Sequence, residues 1–113
     1  MNARTETTLW ILQRASAALL ALCVSVHLVT IIYATRGGLT AAEIFARTRG
    51  NNLWLAFYAL FVLAVGVHAP IGLRAVLREW LGWRGRAADT ALVLFAAALA
   101  WLGLHAVLGV FYA

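Results

Sequence analysis

Three histidines are the side chains in this sequence with the clearest capacity for chemistry. The chain has no others, and each lies in a long stretch without Asp, Glu, Lys or Arg: His27 in residues 15–35, His68 in 50–73 and His105 in 90–113. Ionisable groups in such apolar surroundings are costly and usually face other protein groups or a ligand. The histidines therefore either bridge helices by hydrogen bonds or bind a ligand.

Imidazoles on different helices suit haem iron, because a flat apolar macrocycle fits within a helical bundle. A metal site built from thiolates or carboxylates is disfavoured, because the only cysteine is Cys23 and the three stretches contain no Asp or Glu. His27 lies 13 residues inside Arg14 and His68 six residues inside Arg74, which corresponds to roughly 20 Å and 9 Å from one membrane edge. Because these depths differ, we expect His68 and His27 to bind two separate haem b groups.

The sequence after His68 is suited to a flat ligand. Gly72 lies one turn further along the same helix face, where the missing side chain leaves room for a ring. Arg74 reaches the membrane edge, where it can pair with a haem propionate. The structural alternative is that Pro70 and Gly72 shape a kink and that Arg74 only sets topology.

Polar side chains open the first apolar stretch, with Gln13, Arg14 and Ser16 close together. A quinone that takes up two electrons and two protons needs hydrogen-bond donors at a membrane edge that is wet enough to supply protons. Arg14 and Ser16 can serve as such donors. They are equally compatible with a snorkelling arginine and a serine packing contact.

Three transmembrane helices are needed to position these groups. The 113 residues are 65% apolar and 12% charged, with a mean hydropathy of +0.90, whereas soluble domains average about 45–50% and about 25%. Each uncharged stretch reaches the roughly 20 residues that a helix needs to cross a bilayer, and the absence of period-two alternation excludes a barrel. We predict an all-α integral membrane protein of one domain, residues 1–113, with spans at about 9–35, 52–79 and 87–112.

The loops add a short helix and an orientation. Thr40 and Glu43 form a capping-box pattern that predicts an interfacial helix running to Arg49. Of the nine arginines, six flank the N-terminal and second-loop side and three lie in the first loop. The positive-inside rule then predicts a cytoplasmic N-terminus and an outside C-terminus, in the cell's inner membrane. The arginines form no basic stripe, so nucleic acid is not an expected partner.

These motifs resemble a known family. Gln13-Arg14-Ala15-Ser16 at the start of the first span, His27 late in it and His68-x-x-x-Gly72-x-Arg74 in the second are similar to the cytochrome b membrane-anchor subunit of succinate dehydrogenases and fumarate reductases, in its three-helix type. The resemblance covers nearly the whole chain.

The resemblance implies roles for several residues. His68 would be an axial haem ligand, while Arg14 and Ser16 would contribute to the quinone site and to a haem propionate. His27 matches the members that carry two haems. Many members have histidine where Gln13 stands, and His105 has no clear counterpart.

The resemblance also implies the partners. Such a chain works with a second membrane-anchor subunit, which would supply the opposite haem ligands, and the pair docks a flavoprotein and an iron–sulfur subunit. The reaction would be electron transfer between the iron–sulfur subunit and membrane quinone. Whether the complex oxidises succinate or reduces fumarate is left open.

Several alternatives stay open at this point. His105 is almost level with His27 and could share one haem with it or donate a hydrogen bond to it. The chain could be a haem-free anchor or assembly subunit, or the cytochrome b of another membrane oxidoreductase, although those usually have four spans. A transporter half is disfavoured, since no carboxylate lies in the middle of a span to couple ions.

Overall fold

The computed structural model describes residues 2–113, which form four α-helices. Their bounds are α1, Ala3–Gly37; α2, Ala41–Thr48; α3, Asn52–Trp80; and α4, Arg86–Phe111. Helices α1, α3 and α4 are each long and apolar enough to cross a membrane. The predicted all-α architecture with three candidate spans is therefore confirmed.

Helix α1 extends beyond the span predicted for it. Its 35 residues reach about 52 Å at 1.5 Å per residue, whereas the hydrocarbon core is about 30 Å thick. The additional turns lie at its N-terminus, where Asn2 Oδ1 accepts a 2.9 Å hydrogen bond from the Thr5 N–H. Glu6 then forms ion pairs with α3. These contacts explain why the helix begins at Ala3 rather than near residue 9.

Helix α2 begins with the predicted capping box. The Thr40 hydroxyl accepts a 3.2 Å hydrogen bond from the Glu43 N–H, and Glu43 Oε2 accepts a 2.9 Å bond from the Thr40 N–H. The Thr40 hydroxyl also donates to this carboxylate at 2.7 Å. This side-chain bond, followed by the backbone bond, holds the pKa of Glu43 below its ordinary value.

Helix α2 is fastened to the end of α4. The Thr48 hydroxyl donates to the Val110 carbonyl oxygen at 3.1 Å, and the Gly50 N–H donates to the Phe111 carbonyl oxygen at 2.9 Å. These bonds satisfy two carbonyls in the last turn of α4, which lack partners within their own helix. We call this pair of bonds the α2–α4 clasp.

Helix α3 is the central helix and packs against both α1 and α4. Its contact with α4 is close at Gly103, where an added Cβ would lie 2.5 Å from Val62 Cγ1. The buried interior is thin and made largely of small side chains, such as Cys23, Ala64 and Ala88, while many large apolar side chains are exposed. In a membrane protein such a surface faces lipid or partner helices, and small interface residues let helices approach closely.

Candidate functional site

The three histidines lie separately in the bundle. His27 and His68 are half-buried, whereas His105 is exposed on α4. The His105 ring stacks on Trp101, with 6.0 Å between ring centroids. No group of three or more His, Cys, Asp or Glu side chains gathers anywhere in residues 2–113. The structure therefore gives His27 and His68 protein surroundings of their own and leaves His105 facing outward.

His68 on α3 meets Ser16 on α1. The His68 Nδ1 and the Ser16 hydroxyl oxygen are 3.3 Å apart, and this hydroxyl also donates to the Gln13 carbonyl oxygen at 3.1 Å. Ser16 is a buried polar side chain, only 7% exposed. Burial favours a fixed hydrogen-bond geometry here, because an unsatisfied hydroxyl or imidazole nitrogen would be costly.

Gly72, one turn beyond His68, faces α1 at Gln13. A Cβ built on Gly72 would lie 3.2 Å from Gln13 Nε2, and no other atom outside its own helix backbone in the described chain would lie within 4 Å. The Gln13 Oε1 is buried and has no hydrogen-bond partner within residues 2–113. The helix face expected to accommodate a ring therefore opens towards Gln13, which has an unsatisfied acceptor.

Arg74 pairs with Glu6 of α1. The Arg74 Nη2 lies 2.9 Å from Glu6 Oε1, and the Arg78 Nη1 lies 3.3 Å from the same oxygen. A groove of about 560 Å³ runs beside this cluster and is also lined by Trp10 and Gln13. The arginine expected to hold a haem propionate thus already shares one carboxylate of this chain with Arg78.

Arg14 and Ser16 are not brought together. Arg14 is exposed, and its guanidinium carbon lies 5.1 Å from the centre of the Trp10 ring. Residues two positions apart on a helix do not share a face. Ser16 therefore lies on a different face from Arg14, and this face is buried against α3. Only Ser16 of this pair contacts another helix in the described chain.

His27 on α1 meets Tyr58 on α3. The Tyr58 hydroxyl oxygen and the His27 Nδ1 are 3.3 Å apart. The rings of Tyr58 and Phe61 both stand nearly perpendicular to the imidazole, each at 5.7 Å between centroids. Trp54 stacks on Tyr58 at 5.6 Å. An aromatic cluster therefore surrounds His27.

Two cavities adjoin His27. One, of about 350 Å³, is a groove between α1, α3 and α4 lined mainly by apolar side chains, including Phe61, Val65 and Leu99. The other, of about 170 Å³, lies towards α2 and includes Arg47 and Thr30. His27 and Tyr58 line both cavities.

The surroundings of His27 fit haem b, because an apolar groove adjoins the imidazole. Its macrocycle is flat and apolar, and its iron takes imidazole nitrogen as an axial ligand. A metal-ligating histidine is generally fixed by a hydrogen bond from its other ring nitrogen. His68 and His27 each have Nδ1 fixed by a hydroxyl of the adjacent helix. No hydrogen bond within residues 2–113 engages the Nε2 of either ring, so Nε2 is the nitrogen available to iron.

Sequence reasoning had missed Tyr58 and Glu6 as functional neighbours. The sequence does not identify these contacts because neither pairing is local in the chain: Tyr58 is 31 residues from His27, and Glu6 is 68 residues from Arg74. A hydroxyl inside a span was the one available signal for Tyr58. Partners across helices depend on the helix register, which hydropathy does not specify.

Comparison with known proteins identifies the family. The family model described as Succinate dehydrogenase/Fumarate reductase transmembrane subunit matches residues 1–110. The chain is 35% identical over 97 residues to the succinate dehydrogenase hydrophobic membrane anchor subunit of Archaeoglobus fulgidus, an alignment that covers 85% of this chain and 82% of that protein. No solved structure matches the chain. The chain therefore belongs to the family of succinate dehydrogenase and fumarate reductase transmembrane subunits.

Proposed function

We propose that this membrane-anchor subunit carries electrons between an iron–sulfur subunit and a membrane quinone, with His68 and His27 each providing one axial ligand to a separate haem b. The observation that supports the proposal is the matched environment of the two histidines. Each has Nδ1 at 3.3 Å from a hydroxyl on the neighbouring helix, which leaves Nε2 without a hydrogen-bond partner among residues 2–113. Two haems then require opposite ligands from a second membrane-anchor subunit.

Ser16 and Tyr58 are positioning residues in this proposal. With Nε2 bonded to iron, Nδ1 carries the proton and donates it to the hydroxyl oxygen. That bond fixes the orientation of each imidazole. A bound haem b would supply a one-electron carrier within the bilayer. Ser16, which contacts His68, and His27 lie 11 residues apart on α1, which is roughly 16 Å along the helix.

Quinone chemistry belongs at the end of the bundle that carries the N-terminus. Gln13 offers a buried acceptor without a partner in the described residues, and it lines the large groove beside Arg74. Arg14, at the same level of α1, supplies a charged donor on the exposed side. Ser16 connects this region to His68. In this arrangement Arg14 would donate to a quinone oxygen, while Gln13 Oε1 would accept a hydrogen bond from the hydroxyl of the reduced quinol.

The same proposal assigns the partners and the orientation. A flavoprotein and an iron–sulfur subunit dock on the face bearing six of the nine arginines, which the positive-inside rule places in the cytoplasm. The membrane is then the inner, cytoplasmic membrane. His105 ligates neither haem in this proposal, since it is exposed on α4 and its ring stacks on Trp101.

A haem-free anchor is the second candidate. It is favoured by the same two contacts, because Ser16–His68 and Tyr58–His27 hydrogen bonds can hold helices together without any ligand. Such bonds contribute about 0.6 kcal/mol on average in membranes. In that case both histidines would serve only the packing of α1 on α3.

Haem content of the purified complex distinguishes the candidates. We expect two b-type haems in the wild type, loss of one in His68→Ala, loss of the other in His27→Ala, and retention of both in His105→Ala. A complex without b-type absorbance would establish the haem-free anchor. A wild type with a single haem, lost in His68→Ala, would remove His27 from the proposal.

A further inference from the structure

Arg47 on α2 is a half-buried cation close to His27. It lines the cavity of about 170 Å³ together with His27, Tyr58 and Thr48. One guanidinium nitrogen donates to the Gly38 carbonyl oxygen at 3.1 Å. The α2–α4 clasp holds the helix that carries Arg47 against the end of α4. The position of this guanidinium is therefore fixed by the fold.

No carboxylate forms an ion pair with Arg47 within residues 2–113. Both ion pairs in that part of the chain use Glu6, at the opposite end of the bundle. Glu43, one turn before Arg47 on α2, bonds its carboxylate to Thr40, and Arg47 acts on it only as the smallest of the influences that lower the Glu43 pKa. A half-buried guanidinium that has donors to spare favours an anionic ligand, and its planar geometry suits a carboxylate.

The two cavities beside His27 differ in character. The larger is an apolar groove, whereas the smaller contains Arg47. A ligand that spans both must have an apolar body and an anionic edge. Haem b has this division, with an apolar ring and two propionates. We propose that Arg47 binds the propionates of the haem that His27 ligates, an inference that rests on the proposed function of His27.

A cation at this position would affect the reduction potential. The reduced haem carries one more negative charge than the oxidised haem, so a nearby guanidinium stabilises the reduced form. Removing the charge should lower the potential of this haem alone. The haem at His68 lies at the other end of α1, where Arg74 and Arg78 are already paired with Glu6.

The test is a potentiometric titration of the intact complex, with haem content measured in parallel. For Arg47→Gln we expect a shift of about tenfold in the reduction equilibrium of one haem, or about 59 mV for one electron, and the affected haem should be the one missing in His27→Ala. Arg47→Lys should shift it less, because the charge is kept. Arg49→Gln is the matched control, since Arg49 is exposed and the same charge is lost at the same membrane edge.

Each outcome decides the inference. Loss of the His27-dependent haem in Arg47→Gln, with retention in Arg47→Lys, would support it as well as the expected shift does. Unchanged potentials in Arg47→Gln, an equal shift in Arg49→Gln, or a shift of the His68-dependent haem would overturn it while leaving the ligand assignment intact. A wild-type complex whose haem content does not depend on His27 would overturn the ligand assignment and this inference together.

Discussion

The two histidine sites are built from the same parts in exchanged positions. At the N-terminal end, α1 provides the hydroxyl of Ser16 and α3 the imidazole of His68. At the α2 end, α1 provides the imidazole of His27 and α3 the hydroxyl of Tyr58. The surroundings differ in charge, since the arginines of the first site are paired with Glu6 and the arginine of the second is not paired with any carboxylate in the described chain. The first site thus has one carboxylate shared by two guanidiniums, while Arg47 at the second has no ion-pair partner among residues 2–113.

The two histidine sites also differ in the polarity of their surroundings. His68 contacts the Ser16 hydroxyl, which in turn donates to the Gln13 carbonyl oxygen. Around His27 lie the rings of Tyr58 and Phe61. Hydrogen-bond donors and acceptors favour proton-coupled chemistry, whereas an aromatic shell favours a shielded electron carrier. We therefore expect quinone turnover to depend on the first site, and the reduction potential of one bound haem to depend on the second.

The largest effect is expected at the α2 end, from Gly103→Leu. An added Cβ would lie 2.5 Å from Val62 Cγ1, so α3 and α4 must separate beside the apolar groove. Overpacking of this kind costs about 1–3 kcal/mol. Thermal unfolding of the complex should occur at lower temperature, and the His27-dependent haem should be lost. Gly109→Leu on the same helix is the control, because a Cβ there would have nothing within 4 Å; equal effects of the two changes would contradict the prediction.

Gly72→Leu should produce a smaller loss at the N-terminal end. The nearest atom to an added Cβ is Gln13 Nε2 at 3.2 Å, the far end of a flexible side chain that can move. We expect partial loss of the His68-dependent haem, measured by its absorbance, with the other haem retained. Gly66→Leu provides the control, because a Cβ at Gly66, unlike one at Gly72, would have nothing within 4 Å. Full retention of both haems in Gly72→Leu would remove Gly72 from the ring-binding face.

Arg14→Leu should lower quinone turnover without loss of haem. Removing a charged donor from the N-terminal end should reduce kcat/KM for quinone by about tenfold, which corresponds to about 1.4 kcal/mol. Arg36→Leu removes the same charge at the α2 end and should leave turnover unchanged. Steady-state kinetics of both variants and of Ser16→Ala provide the measurement. Normal activity in Arg14→Leu and Ser16→Ala, with haem intact, would leave only packing roles for these residues.

The hydroxyl variants should give the smaller spectroscopic effects. Ser16→Ala removes the hydroxyl's bonds to His68 and to the Gln13 carbonyl oxygen, and Tyr58→Phe removes the bond to His27. Each bond is worth about 0.5–1.5 kcal/mol, and each variant frees one imidazole to rotate. We expect each variant to alter the low-spin electron paramagnetic resonance signal of a single haem, a different one in each case. Ser25→Ala is the control, because Ser25 donates only to the Ala21 carbonyl oxygen of its own helix. Identical spectra for wild type and both variants would assign the hydroxyls to helix packing alone.

The smallest effect concerns pH and is confined to α2. In the folded protein, the Thr40 side-chain and backbone bonds lower the pKa of Glu43 below its ordinary value of 4.5. The unfolded state therefore binds a proton more readily than the folded state. The resulting stabilisation is present above about pH 4.5 and is lost as the pH falls through the folded pKa. Hydrogen exchange of residues 41–48, corrected for its intrinsic pH dependence, should therefore quicken below that value. The same acid response in Glu43→Gln would show that another group is responsible.

Much of the fold could be predicted because it depends on local properties of the chain. Length and hydropathy define the three apolar helices, and the Thr40 and Glu43 spacing indicates a capping box that the structure contains. The first turns of α1 could not be predicted in the same way. Their stability depends on Asn2 and on ion pairs between Glu6 and α3, which involve a residue 68 positions away.

The candidate site could be predicted only by residue type. Histidines in apolar stretches are unusual enough to be singled out without a structure. Their hydroxyl partners are not, because the pairing of Ser16 with His68 and of His27 with Tyr58 requires the antiparallel register of α1 and α3. The sequence alone does not distinguish Arg47 from an arginine that only sets topology. Its significance comes from the cavity it shares with His27.

The α2–α4 clasp has a consequence for biosynthesis. Its Thr48 hydroxyl and Val110 carbonyl are 62 positions apart in the chain, so the bond cannot form until α4 has been synthesised and inserted. Until then α2 lacks this attachment, and Arg47 is held only by its bond to the Gly38 carbonyl oxygen. Cofactor loading at the second site is therefore expected to follow insertion of α4, whereas the contact between Ser16 and His68 needs only α1 and α3.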